Sequence, residues 1–497
     1  MSSPVIEEAR FNAFDRDFSS PLANAPAWIA LLFCSLFLFL TVSLHYPSLV
    51  AFVVSLLVCI GWGLVGTVSP NRSSLPVCAA LLLLCTLFAL QVHRQTNAPE
   101  AFPGTIHSTG EVLTIREWGF RTLALVRLRE EEGGKFLLSF EKERPELKPG
   151  DLLSFSGKTA PFERPETGVG FDEFLYWKAK GGLAKIANPK AEKIGVVHSP
   201  AYLRHRMTER IRATLPQQTA GYVMAVTTGE RDSRLESLHR SVGTSHLLAV
   251  SGFHVGIVFL LGWTLFKRFR PRLVLISILI WAYTILTGAA PSAMRAAFML
   301  QLVIAGRLAG RAGNSFNTAS AAGCLLLLYN PWLFWDIGWR LSMLAILSVT
   351  SIVAADYNNR TKAILASPLV WLATAVQAAW TFDRVPLAGL VINFLAIPAF
   401  TFLFPIALGC SLPSLLGMPG GYIFVAIPEI LFSMWERLSS NILYLCPRDV
   451  SFSRGLLFCA LATVTFFFAR ASGFQTNRAI LASVLVLFSA ASAIFFV

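Results

Sequence analysis

Residues 241–263 read SVGTSHLLAVSGFHVGIVFLLGW. The run approaches the roughly 20 residues of a membrane-crossing helix. Yet it carries His246, Ser251 and His254, with Gly252 beside the serine. Polar groups inside hydrocarbon are costly, so they face a bundle interior or a watery path. Lys267, Arg268, Arg270 and Arg272 follow the run, a basic stop that marks a cytoplasmic membrane edge. On a continuous helix Ser251 and His254 share a face. His246 and His254 lie two turns apart, about 12 Å at 1.5 Å per residue. They cannot share a metal unless the helix breaks, and Gly252 is where it would. Three readings stay open: hydrogen bonds between helices, the polar lining of a conduction path, and a Ser251 nucleophile with His254 or His246 as base. The flanks lack the strand–turn–helix elbow of serine hydrolases.

Outward from this stretch, composition sets the class. Of the 497 residues 54% are hydrophobic and 14% charged, with mean hydropathy +0.58. Soluble domains carry roughly 25% charge, so the chain is expected to be a polytopic α-helical membrane protein. Net charge is +13, most of it between apolar runs after residue 240, which reads as the positive-inside bias or as a nucleic-acid track. The eight cysteines lie in or beside apolar runs, and no spacing suggests a metal site or a disulfide framework.

The expected order is as follows. Residues 1–26 form a polar tail with no cleavable signal peptide. Residues 27–92 hold three spans, near 27–45, 48–68 and 75–92. Arg72 lies between the last two, which puts the N-terminus inside and residue 93 outside. Residues 93–197 form a small all-β, OB-like soluble insert outside the cytoplasm. Its strands are expected at 110–116, 121–129, 135–141 and 151–157, with two more in GLAKIA and EKIGVV and a short helix near 171–180. The part from 102 to 197 is close to neutral, with 15 Lys and Arg against 14 Asp and Glu, which argues against strong nucleic-acid binding. Trp118, Phe120, Phe136 and Phe140 read as core, or as rings on which bases stack.

Residues 198–240 are read as a basic amphipathic, interfacial helix and a linker. Leu203, Met207, Ile211 and Leu215 make its apolar stripe, and Arg204, Arg206, Arg210 and Arg212 lie elsewhere on it, so that it lies on the membrane surface, guides a phosphate backbone toward the core, or both. Residues 241–497 form the transmembrane core, with runs near 273–288, 291–309, 317–329, 332–355, 363–382, 386–408, 420–434, 455–469 and 479–497. Arg307, Arg311, Arg360 and Lys362 fall in inside loops. Pro386, Pro398, Pro405, Pro413 and Pro419 are expected to interrupt the later runs. Five more polar residues stand in apolar surroundings: Arg295, Asp336, Arg340, Gln377 and Asn393. Asp336 and Arg340 are four apart and can neutralise each other. Arg295 can face a phosphate, pair with an acid such as Asp336, or reach a membrane edge.

The stretch from His246 to Gly256, HLLAVSGFHVG, resembles the signature of the ComEC-type competence family, inner-membrane proteins of DNA uptake. YTILTGAAPSAMR (283–295), NPWLFWDIGWRLSMLA (330–345) and NFLAIP (393–398) extend the likeness. GFDEFLYWKAKGGLAKI (170–186) is similar to the end of that family's soluble insert. The resemblance runs from about residue 28 onward and implies a channel for single-stranded DNA import during transformation. His246, Ser251, Gly252, His254, Arg295, Asp336, Arg340, Gln377 and Asn393 are then its lining or functional polar residues. Arg340 departs from the neutral polar residue usual there. The family often ends in a metallo-β-lactamase-like domain with a His-x-His-x-Asp-His motif. This sequence has no His after 254, so the resemblance is to a form lacking that domain. No nuclease, ATPase or metal motif is found, so no enzyme activity and no cofactor are expected. The implied partners are single-stranded DNA, membrane lipids and a separate receptor, motor and nuclease; a homo-oligomer is left open. The alternatives are a small-solute or lipid-intermediate transporter and an intramembrane serine hydrolase at Ser251.

Overall fold

The computed structural model describes residues 104–466 apart from 119–120, 130–133, 142–145, 164–171, 310–314, 356, 383, 452–458 and 461. The expected tail, the three spans within 27–92 and the last apolar run lie outside the described residues. The chain divides into two compact units. One holds residues 1–98, 298–384 and 451–497, the other 99–297 and 385–450.

The second unit begins with the β region. Six strands run β1 (Thr105–Trp118), β2 (Arg121–Leu128), β3 (Lys135–Phe140), β4 (Asp151–Ala160), β5 (Gly182–Ala187) and β6 (Lys190–Val196), with helix α1 (Glu173–Ala179) between β4 and β5. All of the expected strands are present, and β1 starts five residues before the expected 110. β1 pairs antiparallel with both β2 and β4, β3 lies parallel to β5, and β4 pairs with β5. The pairings close a ring β1-β2-β3-β5-β4. Gly110 is the corner where β1 passes from one partner to the other. A Cβ there would meet the Val126 side chain and lie 2.8 Å from the Arg127 carbonyl. Val112, Ala124, Val126, Phe136, Leu138, Leu153, Phe155 and Ile186 fill the interior. Phe136 and Phe140 are therefore core residues; the Trp118 side chain and Phe120 lie outside the described residues.

Helices α2 (Pro200–Thr214), α3 (Gln217–Thr227), α4 (Ser233–Val242), α5 (Gly252–Leu265), α6 (Arg272–Leu286) and the start of α7 (Pro291–Leu308) follow. The region read as one helix and a linker thus folds as three helices. On α2 the buried stripe is Ala201, Thr208, Ile211 and the following Leu215, while Leu203 is 53% exposed. Ile211 and Leu215 are buried as expected, and Thr208, whose Oγ1 donates to Thr228 Oγ1 at 3.0 Å, joins them on the buried face.

Helices α8 (Ser315–Tyr329), α9 (Ile337–Ala354) and α10 (Asn359–Phe382) belong to the first unit. There Ile352 and Leu369 pack with Leu365 and Phe466. The second unit resumes with α11 (Ala388–Leu415) and α12 (Gly421–Leu445). Pro398, Pro405 and Pro413 lie inside α11 without breaking it, contrary to the expected interruption. Membrane helices tolerate proline because neighbours satisfy the freed carbonyls. Residues 245–265, 359–382 and 388–415 are long and apolar enough to cross a membrane. Val391, Phe394 and Phe402 on α11 and Ile423, Ile430 and Met434 on α12 point outward, which only a lipid surround makes cheap. A mostly helical membrane protein with a small β region is what these residues build.

Candidate functional site: a broken span and its polar neighbours

The signature stretch is not one helix. A single 3-10 turn (Ser245–Leu247) is followed by non-helical backbone, and α5 starts at Gly252 with Ser251 as its N-cap. His246 sits on the turn and is exposed. His254 is the third residue of α5 and closes a capping box. Its Nδ1 accepts the Ser251 N–H at 3.1 Å and lies 3.2 Å from Ser251 Oγ. With Nδ1 accepting, the ring proton sits on Nε2. His254 is 1% exposed and Nε2 is buried without a partner; the ring lies tilted against that of Phe404, centroids 5.0 Å apart.

Arg295, on α7, is brought against the start of α5. A Cβ on Gly252 would lie 3.5 Å from Arg295 Nη2 and 3.4 Å from the Ala296 Cβ. Arg295 is 5% exposed. Ser292 Oγ, one turn before it, donates to the Val250 carbonyl at 2.7 Å. That bond ties α7 to the non-helical backbone ahead of Ser251. Five of the nine residues singled out from the sequence, His246, Ser251, Gly252, His254 and Arg295, thus gather round one chain break. Asn393, on α11 of the same unit, has a buried Oδ1 with no hydrogen-bond partner.

The other three lie in the first unit and form a separate group. Asp336 does not pair directly with Arg340. Its Oδ1 instead accepts the Trp339 N–H at 3.0 Å and caps α9. A carboxylate at a helix start is stabilised by the unpaired amides and the dipole, and from there Asp336 still acts on Arg340 electrostatically. Arg340 donates to Gln377 Oε1 at 3.4 Å and to the Trp335 carbonyl at 3.3 Å. Gln377 Nε2 donates to Thr381 Oγ1 at 3.1 Å.

Sequence reasoning passed over a second polar network in the helical part of the second unit. His239 on α4 is 1% exposed and bonded on both nitrogens, Nε2 to Tyr222 Oη at 2.9 Å and Nδ1 to Thr244 Oγ1 at 2.8 Å. Burial pushes its pKa down to about 4. His246 is within electrostatic reach of both His239 and His254. Among the described residues no group of three or more His, Cys, Asp or Glu is placed to hold a metal ion. On α12, Glu429 Oε2 accepts from the Thr219 N–H and Oγ1 at 2.9 and 2.7 Å and so caps α3. Glu436 takes both terminal nitrogens of Arg234, at 2.7 and 3.2 Å. With Gln218, Ser433, Arg437, Ser440 and Asn441 it lines a recess of about 420 Å³. The signal was legible: Glu429, Ser433, Glu436 and Ser440 recur at helical spacing inside the α12 run.

Residues 226–472 match the family model described as Competence protein. The chain is 27% identical over 289 residues to ComE operon protein 3 of Bacillus subtilis (strain 168), covering 55% of this chain and 37% of that protein. It is 29% identical over 212 residues to an uncharacterized protein of Aquifex aeolicus (strain VF5), covering 42% of this chain and 50% of that one. The matches thus span half or less of the length of these curated relatives. No solved structure matches the chain.

Proposed function

We propose that this chain, with a Competence-protein region over residues 226–472, passes single-stranded DNA across a bacterial inner membrane during transformation. The observation that carries the reading is the break in the signature span. Non-helical backbone at membrane depth is tolerated only where protein covers it or where it lines a water-filled space. Here the break bears an exposed His246 and precedes the polar start of α5. A strand carries closely spaced negative charge and needs cationic compensation along a wet route. The α5 amides and the Arg295 guanidinium at Gly252 supply it at one point. Ser251 and His246 offer hydroxyl and imidazole contacts beside it. Asp336, Arg340, Gln377 and Asn393 are read as further polar lining. The closed ring β1-β2-β3-β5-β4, with β3 parallel to β5, supports an OB-like reading of the insert, placed outside the cytoplasm. Strand separation, driving force and degradation are assigned to partner proteins.

The Ser251–His254 contact is the one feature that favours hydrolysis. The same Nδ1 also accepts the serine's own N–H, and Nε2 has no partner among the described residues. A general base needs a third group to orient it, so the pair reads as a helix cap.

The test is import of labelled DNA in a strain deleted for the gene and complemented with native protein or with Arg295→Ala. The reading expects import to be lost on deletion, restored by native protein, and reduced at least tenfold with Arg295→Ala at equal expression. Import unchanged by the deletion sinks it.

A further inference from the structure

Helix α12 turns its carboxylates toward the protein and an apolar row away from it. Glu429 and Glu436 are bonded to α3 and α4. On the far face Ile423, Ile427, Ile430 and Met434 are all more than half exposed. They follow one another at helical spacing, four, three and four residues apart, and so form one row. From Ile423 to Met434 the row is about 17 Å long at 1.5 Å per residue. One leaflet of a bilayer's hydrocarbon core is about 15 Å thick. The next residues at that spacing are Arg437, Asn441 and Tyr444, all exposed. The face therefore changes from apolar to polar after the length of one acyl leaflet.

The change falls at the recess beside Glu436, lined by Gln218, Ser433, Glu436, Arg437, Ser440 and Asn441. These groups differ in what they have left to offer. Glu436 is neutralised by Arg234. Ser433 Oγ donates to Gln218 Oε1, and Ser440 Oγ donates to the Glu436 carbonyl at 2.9 Å. Among the described residues Arg437 has no ion-pair partner and the Asn441 amide no hydrogen-bond partner. An arginine at a membrane edge often only reaches for water. Here it stands over a recess of about 420 Å³, beside an unused amide, where an exposed apolar row ends. A guanidinium holds phosphate through two parallel N–H donors. An amide both donates to and accepts from hydroxyls. Tyr444 stands beyond them, as tyrosines do at a membrane–water interface. Apolar row, cation and hydroxyl-binding amide come in the order of acyl chain, phosphate and headgroup in a glycerophospholipid.

We propose that Arg437 and Asn441, at the recess between α3 and α12, hold the phosphate and headgroup of an anionic glycerophospholipid whose acyl chain lies along Ile423, Ile427, Ile430 and Met434. The site needs the helical part to lie in a membrane and is independent of DNA passage. Phosphatidylglycerol carries the required groups, a phosphate and headgroup hydroxyls. A choline headgroup brings a second cation toward Arg437 and no hydroxyl. A nucleic-acid strand would use the guanidinium and leave the apolar row without a role.

The test is native mass spectrometry of the full chain in neutral detergent, titrated with dioleoyl phosphatidylglycerol or dioleoyl phosphatidylcholine. Native protein is expected to hold phosphatidylglycerol at least about tenfold more tightly than phosphatidylcholine. Arg437→Ala/Asn441→Ala should weaken phosphatidylglycerol by at least about tenfold, the loss of a charge-assisted bidentate contact, and phosphatidylcholine less than about threefold. Arg437→Lys keeps the charge without the paired donors and should fall between, which keeps the test decisive should the double variant misfold. Both residues are exposed, so without lipid the variants should melt with the native protein. Equal retention of the two lipids by native protein overturns the proposal, and so does unchanged retention in the double variant. Displacement of the lipid by excess glycerol phosphate assigns the recess to a free phosphate and overturns it. Displacement by a dT oligonucleotide assigns it to nucleic acid, with the same result. A native dimer that the double variant lacks gives the face to a second copy of the chain, and also overturns it.

Discussion

Which half of the Arg234–Glu436 pair is buried decides how its loss is felt. The Arg234 side chain is 42% exposed and the Glu436 side chain 11%. Removing the carboxylate charge with Glu436→Gln leaves a guanidinium that water can reach, so the cost is that of charge-assisted hydrogen bonds, about 1–3 kcal/mol. Removing the cation with Arg234→Met leaves a buried carboxylate whose remaining side-chain donor is Gln218 Nε2 at 3.4 Å. An uncompensated buried charge costs about 3–5 kcal/mol. The double variant replaces both charges and should lose less than the sum of the two singles, by about 1–3 kcal/mol. Apparent unfolding temperature of the full chain in detergent is the assay. At about 2 °C per kcal/mol, Arg234→Met should fall roughly 6–10 °C and Glu436→Gln roughly 2–6 °C. Equal drops, or a larger drop for Glu436→Gln, would refute the reasoning, because it rests on the asymmetry of burial.

Two further outcomes follow from the same geometry. At Gly252 an added Cβ meets ordinary contacts, so Gly252→Ala should fold and import DNA within twofold of native. Gly243 has φ +80° and an added Cβ would lie 3.0 Å from Gly389 Cα, so Gly243→Ala should cost at least about 1–3 kcal/mol, read as a lower melt. His239 tests pH. Its folded pKa, about 4, lies below the ordinary 6.5, so the unfolded chain binds the extra proton. Stability should therefore be full above about pH 6.5 and fall as pH drops toward 4, by about 3 kcal/mol in all. Tyr222 and Thr244, which hold the ring, and the nearby Phe400 carry no charge at these pH values; His246 is the charged neighbour once protonated. His239→Gln should flatten that limb of the melt-against-pH curve.

Much of the architecture was legible because it depends on local pattern. Alternation with Gly and Pro punctuation located the strands of the β insert within a few residues. Apolar runs located α6 to α12, though not the length of α12 or the continuity of α11 through three prolines. HLLAVSGFHVG carried the resemblance, and residues 226–472 match the family model described as Competence protein. Two interactions depended on more. Thr208 bonds Thr228 on the buried face of α2, and Asp336 caps α9 through the Trp339 amide; both partners are side chains or amides whose proximity the spacing left open.

Residue order alone determined that this is a mostly helical membrane protein with a β insert and a histidine- and serine-bearing span. Periodicity and hydropathy are properties of neighbours in the chain. Tertiary structure decided that the span breaks before Ser251, that Arg295 meets Gly252, and that Gln218 shares a recess with Glu436 and Arg437. Those meetings join groups far apart in the chain, and only the folded backbone sets which of them meet.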